Sequence, residues 1–480
     1  MNLNEYRWSL NPRGMHSALN YLNIELLSRH RFGWAKIVAL SDGEIALAEN
    51  AMRENITPII RIYRERPGNA PVDSLALQQY QQYRDAGVRW FEHYNEPNLD
   101  IEWPSGANKN PNDRAVVGPL MDNWLAWAEF IISIGGYPAF PSLADVNDGT
   151  HLDTISWIRG MLNYLFDVHY ERFRTVLNNG AYIAVHPYIA NHFYQEMPNG
   201  GPTSARPPHL QNADEGGWHF EYPYDPINQA DDPGRTVYGG TPLAPFGDTV
   251  SLLGSTTVIH DLLREMFGVG AIPFVGTEGG IPPPVGLEDV RQQDNRYPPY
   301  TWYSHAEATA AMFDWIATTA PPWFFGVCLW KFDEYYLTAS GELPVGTRLA
   351  QKPPMIKPVP ALPALGDIDA VVFETPVADP DHHFVFLVPN FETAWFFQQA
   401  ETYWDTFKPS LLSDLEFLGN IPPEKTVAVT AITGPDMVDW LTENISERWP
   451  HIRLDVIIVD QPQALGQQLA QRVLIGRRLG

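Results

Sequence analysis

Cysteine is almost missing: Cys328 is the only one in 480 residues, which excludes an intramolecular disulfide and any multi-thiolate metal site. No run of about 18 apolar residues occurs, so no segment reads as a membrane-spanning helix. Basic residues are scarce, 32 Lys and Arg against 57 Asp and Glu, for a net charge of −25. Such a chain repels phosphate backbones and anionic headgroups, which makes nucleic acid and membrane surfaces poor partners. The patterns GxGxxG, GxSxG, HExxH and the P-loop are all lacking, which argues against dinucleotide, serine-hydrolase, zinc-protease and nucleotide chemistry. The first residues, MNLNEYRWSLNPRG, carry no basic segment followed by an apolar one, so a secretory leader is not expected. If Met1 is the native start this points to the cytoplasm; if it is not, secretion stays open.

What is present in excess is aromatic and proline. Aromatics reach 12% with 16 Trp, and there are 43 Pro. Flat side chains exposed in clefts suit sugar rings, although Trp also fills cores. The length implies two domains, or one large barrel with an appendage.

From residue 15 to about 336, short apolar runs alternate with amphipathic stretches. Strands are expected at 14–17, 34–40, 58–63, 88–94, 137–142, 182–187, 273–277 and 325–330. Helices are expected at 18–28, 43–53, 73–85, 120–134, 152–176, 252–267 and 305–318, with Ser41-Asp42 and Ser304 as N-caps. Eight strands alternating with helices have the size and rhythm of a (β/α)8 TIM barrel over residues 1–341. A doubly wound sheet is the competing α/β arrangement, without the glycine-rich first turn it usually shows. Residues 189–248, between the sixth strand and sixth helix, form a long Pro-, Gly- and aromatic-rich loop, expected to be a lid or subsite wall over the barrel mouth. Residues 342–365 read as a proline-dense linker. Residues 366–480 read as a small α/β domain of unknown role, with strands at 383–388, 426–432 and 454–459 and helices at 394–407 and 437–449. Asp381, His382 and His383 are a poor metal cluster, because neighbours in a strand point to opposite faces.

The chemistry sits at two strand ends. The fourth strand finishes in WFEHYNEPNLD, where Pro97 stops the ladder and is expected to hold Glu96 extended. The seventh finishes in PFVGTEGG, where Gly279 and Gly280 let the chain turn and leave Glu278 accessible. Two glutamates facing each other across one barrel mouth are what double-displacement glycoside hydrolysis requires: one acid protonates the leaving oxygen, the other attacks the anomeric carbon. For a retaining mechanism their carboxyl groups should stand about 5–5.5 Å apart.

On these residues the sequence resembles the retaining glycoside hydrolases built on (β/α)8 barrels with catalytic glutamates on strands four and seven, and FEHYNEPNL looks most like families 39 and 5. The resemblance implies Glu96 as acid/base, Glu278 as nucleophile, and Asn95 as the group bonding the 2-hydroxyl of the reacting sugar. It also implies Trp330 as a sugar platform and His186 or Tyr188 beside the nucleophile. It implies a cellulase-like enzyme that cleaves a β-linked saccharide and needs neither cofactor nor metal.

Physical chemistry assigns the neighbours. Glu278 must be ionised, so it needs donors such as Tyr188 or His186; Glu96 must start protonated, in a drier place near Trp90 or His93. Arg61 or Arg64, at the end of strand three, is expected to pair with Glu278 or Asn95. Lys36 and Glu92 are expected to form a buried pair inside the barrel. Trp103, Trp218, Tyr222, Tyr224, Trp302 and Trp323 are candidates for further sugar subsites, at most half of them touching ligand. Asp145 and Asp148 would bind hydroxyls or cap the fifth helix. Inverting hydrolysis, a non-catalytic carbohydrate-binding barrel, and a barrel enzyme of other chemistry are the alternatives.

Overall fold

The computed structural model describes residues 9–19, 21–190, 192–197, 206, 217–269, 272–284, 294–335, 337–338, 341–342, 344–357, 380–388, 393–422, 425–475 and 478–479. The chain divides into two units, residues 1–237 with 246–371, and residues 372–480 with 238–245.

In the first unit eight parallel strands close into a barrel: β1 (Arg13–His16), β2 (Trp34–Ala39), β3 (Thr57–Ile62), β4 (Trp90–Glu92), β5 (Tyr137–Phe140), β6 (Tyr182–Val185), β7 (Phe274–Gly276) and β8 (Phe324–Leu329). Each pairs with its sequence neighbour and β8 returns to β1. This is the TIM-barrel topology the alternation implies, and it sets aside the doubly wound sheet for this unit.

The barrel interior is filled. Trp34, Ile59, Trp90, Tyr182, Val275, Phe325 and Cys328 pack together, with Trp90 edge-on to Trp34 and Tyr182. Gly14 lies opposite Cys328, and a Cβ there would meet the Cys328 Sγ at 2.7 Å, so β1 and β8 approach this closely only with glycine. Burial pushes the Cys328 thiol up to about 12, which leaves it unreactive. Toward the C-terminal ends of the strands the filling becomes ionic. Lys36 and Glu92 form the expected buried ion pair, joined by Ser142 Oγ at 3.4 Å and Arg61 Nη1 at 3.8 Å from Glu92. Burial favours the neutral acid, but the charges of Lys36 and Arg61 hold the Glu92 carboxyl below its ordinary range.

Helix boundaries depart from the periodic pattern where a local signal overrides it. The first helix is only Ile24–Arg29, because the Asn23 side chain accepts from Leu26 N–H and starts it there, while Ala18 bridges Tyr21. The fourth runs Arg114–Ser133, through Pro119; Asp113 caps it, and an exposed proline one turn in costs one backbone bond without ending the helix. Thr301, not Ser304, caps helix Trp302–Thr318; Ser304 closes the reciprocal half of the capping box. Asp153 caps the fifth helix, a role the sequence offered to Asp145 or Asp148.

The excursion at 189–248 is not structureless. Residues 191, 198–205 and 207–216 lie outside the described residues; the rest includes a strand pair, Tyr194–Gln195 with Trp218–His219, and helix Pro226–Asp231. Aromatic packing holds it: Tyr194, Tyr222, Ile227 and Tyr297 cluster, His192 stacks on Tyr222 at 4.0 Å, and Tyr297 donates to Asp225 Oδ2 at 2.5 Å. Within it Glu221 has a buried Oε1 with no hydrogen-bond partner among the described residues, and burial pushes its carboxyl up to about 8. A raised folded value means the acid stabilises the fold fully below its unfolded value, about 4.3, and that contribution is lost as pH rises toward the folded one. Glu221→Gln, neutral at every pH, should match wild-type Tm near about pH 4.5 and exceed it increasingly toward about pH 9 in a thermal melt series. A gap that stays constant with pH would contradict this.

The stretch expected to be a linker contains helix Pro344–Gln351, which belongs to the first unit: Arg348 pairs with Glu307 at 3.0 Å and Leu349 O accepts from Arg13 Nη1. Residues 358–365 lie outside the described residues.

The second unit is a four-stranded parallel sheet, ordered β10 (Ser410–Leu412), β9 (His382–Leu387), β11 (Val427–Thr433), β12 (Ile452–Ile458). Two apolar layers cover its faces, one around Phe384, Val429 and Leu441, the other around Val385, Tyr403 and Leu469. The expected helix at 394–407 is two, Thr393–Gln399 and Glu401–Phe407; that at 437–449 is a short turn, Val438–Leu441, continuing into a π-turn, Thr442–Ser446. Strand β10 and helix Pro462–Ile475 were not anticipated. His382 is exposed, whereas His383 turns inward to Thr430 Oγ1 at 2.9 Å, so the two histidines face opposite sides of the sheet.

Candidate active site

Eight side chains from six strand ends converge at the C-terminal mouth of the barrel. His16 ends β1 and Arg61 is the penultimate residue of β3. Asn95 and Glu96 follow β4, His186 and Tyr188 follow β6, Glu278 follows β7, and Trp330 follows β8.

Glu278 is pinned by backbone on both sides. Gly280 N–H donates to Pro187 O at 2.9 Å, Ile189 N–H to Gly280 O at 3.2 Å, and Trp330 N–H to Gly279 O at 3.0 Å. Gly279 has φ +137°, and a Cβ there would meet Pro187 O at 2.5 Å, so no other residue fits between Glu278 and the β6 exit.

Glu96 is held differently from the expectation. It has φ +36°, not an extended conformation. The proline ring at 97 disfavours the right-handed helical region, and the chain instead takes the left-handed one to close a turn in which Leu99 N–H donates to Glu96 O at 2.8 Å. A non-glycine residue in that region costs on the order of 1 kcal/mol, the kind of local strain found at functional sites. Trp103 supports this turn from behind: it is buried, packs on Trp157, and donates its Nε1 to Pro97 O at 2.7 Å. Its ring therefore belongs to the scaffold, and not to a sugar subsite.

The two carboxylates have different surroundings. Glu278 is nearly fully buried, with Arg61 Nη1 3.2 Å and His16 Nε2 3.5 Å from its Oε1, and Tyr188 OH 3.4 Å and His186 Nδ1 3.7 Å from its Oε2. Burial alone would raise its proton affinity, but His186, His16 and Arg61 outweigh this and hold the Glu278 carboxyl well below the ordinary range. Glu96 is more exposed, 14% by side chain, and its Oε1 meets His186 Nδ1 at 2.8 Å. His186 thus stands between the two carboxylates; burial disfavours its charge, yet Glu278 and Glu96 win and raise its proton affinity. One oxygen of Glu96, one of Glu278 and a His186 nitrogen all lie within 4.8 Å of one another.

That trio could offer a metal three donors, but a cation there would stand beside Arg61, a permanent positive charge already 3.2 Å from Glu278. The donor set fits a carboxylate pair held by protein cations better than a metal centre.

Of the other candidates, Arg61 bonds both Asn95 Oδ1 and Glu278, as expected. Arg64 does not join them. It bonds His93 Nε2 and Pro71 O, both at 2.9 Å, and His93 stacks on Trp127 outside the barrel because it alternates with inward-facing Glu92. Trp90 lies in the barrel core, so neither Trp90 nor His93 dries Glu96. Trp330 packs against His16, centroids 4.5 Å apart. Trp302 opens helix Trp302–Thr318, half-buried, with its ring edge-on to His305. Trp323 precedes β8, stacks on His260 and sits at the opposite rim. Tyr222 is covered by His192, Trp218 packs on Phe220, and Tyr224 is exposed. Asp145 is bonded to Ser255 and raised well above the carboxylate range by burial, and Asp148 braces the Thr150 turn.

Two residues escaped the sequence reading. His16 ends a strand as the others do, so the strand-end rule applied to β1 would have found it. Glu102, which accepts from Asn95 Nδ2 at 2.8 Å, sits in a one-turn 3-10 helix, Asp100–Glu102, that leaves no periodic signal.

No protein-family model and no curated protein matches the chain. Solved structures do show similarity. A GH128 (subgroup II) endo-β-1,3-glucanase from Pseudomonas viridiflava is 14% identical, covering 71% of this chain and 98% of its own, with a TM-score of 0.40. A GH128 (subgroup III) curdlan-specific exo-β-1,3-glucanase from Blastomyces gilchristii, in complex with glucose, is 13% identical over 70% and 98%, TM-score 0.36. ZgEngAGH5_4 in complex with a cellotriose is 12% identical over 71% and 94%, TM-score 0.38.

Proposed function

We propose that this chain is a retaining glycoside hydrolase acting on a β-linked oligo- or polysaccharide, with Glu278 as nucleophile and Glu96 as acid/base. The observation that carries the reading is the close, asymmetric carboxylate pair: oxygens within 4.8 Å, one carboxylate buried among three potential cations and the other more exposed, contacting only the shared histidine in its described ion contacts. That spacing supports direct attack by a carboxylate; inversion needs room for a water, with carboxyl groups about 6.5–9.5 Å apart.

Ionised Glu278 attacks the anomeric carbon, and the glycosidic C–O bond breaks as Glu96 gives its proton to the leaving oxygen. Water then enters; Glu96, now the base, takes its proton while the oxygen displaces Glu278 with a second inversion. Arg61, His16 and Tyr188 keep Glu278 charged and oriented before attack, so little reorganisation is left for the reaction itself. Trp330, backed by His16, offers a flat apolar face for the sugar ring.

The test is a panel of aryl β-glycosides with the first-formed product followed by NMR. Retention predicts that the β-anomer appears first and mutarotates later; first-formed α-anomer would replace the mechanism with inversion.

His186 supplies a second check. Removing its positive charge with His186→Phe should raise the proton affinity of Glu278, which must be ionised to attack. The acid limb of the kcat/KM–pH profile should therefore move to higher pH, and a limb unmoved or moved downward would separate His186 from Glu278.

A further inference from the structure

We infer that Glu102 is a positioning residue that clamps the Asn95 amide beside the nucleophile, so that a single amide N–H is left to hold the sugar hydroxyl adjacent to the reacting carbon. This rests on the glycosidase reading above.

An asparagine amide has one acceptor oxygen and two N–H donors. Here Arg61 Nη1 donates to Asn95 Oδ1, and Asn95 Nδ2 donates to Glu102 Oε1 at 2.8 Å. Arg61 can only donate and an ionised Glu102 can only accept, so the two agree on one orientation of the amide and oppose its flip. The same Arg61 nitrogen lies 3.2 Å from Glu278 Oε1, which ties the amide to the nucleophile. One N–H remains. A sugar whose anomeric carbon meets Glu278 carries its 2-hydroxyl one bond away, and bonds to that hydroxyl tighten in the transition state.

Glu102 is itself anchored. Its backbone N–H donates to Leu99 O at 3.2 Å and its carbonyl accepts from Gly68 N–H at 2.8 Å, so the loops after β3 and β4 both hold it. Trp103, next in sequence, bonds Pro97 O and fixes the turn to Glu96. Burial raises the Glu102 carboxyl above its ordinary range, and the nearby Glu96 and Glu278 charges add to this, against the Asn95 bond and Arg61. A carboxylate kept half-buried near two others is costly unless an interaction uses it.

The experiment compares wild type, Glu102→Ala and Glu102→Gln on the aryl β-glycoside that wild type cleaves fastest and on its 2-deoxy analogue. With the 2-hydroxyl present, Glu102→Ala should lower kcat about 10- to 100-fold, the scale of a misplaced contact, with KM within about twofold. On the 2-deoxy analogue the same variant should stay within about threefold of wild type, because the hydroxyl it serves is gone. Glu102→Gln keeps an acceptor at the same place and should recover most of the loss, which also covers an unstable alanine variant. Equal losses on both substrates would reduce Glu102 to loop structure, and no loss on either would remove it altogether. A wild type inactive on both would overturn the glycosidase reading and this inference with it.

Discussion

Glu278→Gln should lower kcat on an activated aryl glycoside by at least about 10⁴-fold, the scale of a lost nucleophile in enzymes whose catalytic groups act as a unit. The amide is nearly isosteric, so the side chain keeps its place among Tyr188, Arg61 and His186 while the attacking carboxylate is lost. The variant should fold, since Arg61 keeps Glu92 at 3.8 Å as a charge partner and the neighbouring histidines can give up their protons; its circular dichroism should overlay that of wild type. Glu96→Gln makes the informative contrast. It removes the proton donor, so its loss should be large for poor leaving groups and small for good ones in the first step. If Glu278→Gln retained more than about a tenth of wild-type kcat, Glu278 would have no covalent role.

Lys36→Met should destabilise the fold by about 3–5 kcal/mol, the cost of leaving a buried charge without its partner. Lys36 and Glu92 are both fully buried, and Lys36 is the closest cation to Glu92, with Arg61 at 3.8 Å on the other side. Urea unfolding reads the loss as a fall in midpoint at unchanged slope. Replacing both ions, Lys36→Met with Glu92→Leu, should recover much of the stability, because the pair repays little more than its own desolvation. The double variant should still lose activity, since Arg61 would lose Glu92, which helps hold it toward Glu278. A single variant as stable as wild type would mean that Glu92 is neutral in the fold.

Much of this was legible in the chain because barrel strands are short, apolar and bounded. All eight were found within a few residues, and the rule that function sits at their C-terminal ends picked out Asn95, Glu96, His186, Tyr188, Glu278 and Trp330 as one cluster. The layering of barrel side chains from alternate strands also foretold the Lys36–Glu92 pair, and period-two alternation the opposed faces of His382 and His383. Capping chemistry was read less well: Asn23 shortened a helix and Asp113 lengthened another across Pro119. Arg61 and Arg64 could not be separated by type, and only the side of the strand each leaves from decides that one meets Glu278 and the other His93. Tryptophans misled most. Trp103 and Trp323 lie near strand ends in sequence, yet one packs behind the turn that carries Glu96 and the other at the opposite rim, because a large ring is as useful to a core as to a sugar. Glu96 defied a sound local rule: proline excluded one backbone region and the turn to Leu99 selected another.

The central claim, that Glu278 forms a covalent bond to the sugar with Glu96 as its acid/base, is tested most directly by trapping. An activated 2-deoxy-2-fluoro glycoside slows breakdown of a glycosyl-enzyme, and intact-mass and peptide spectra then locate the label. One sugar per chain, on the peptide containing Glu278 and absent from Glu278→Gln, is the predicted result; a label on another carboxylate, or turnover with inversion and no label at all, would contradict it.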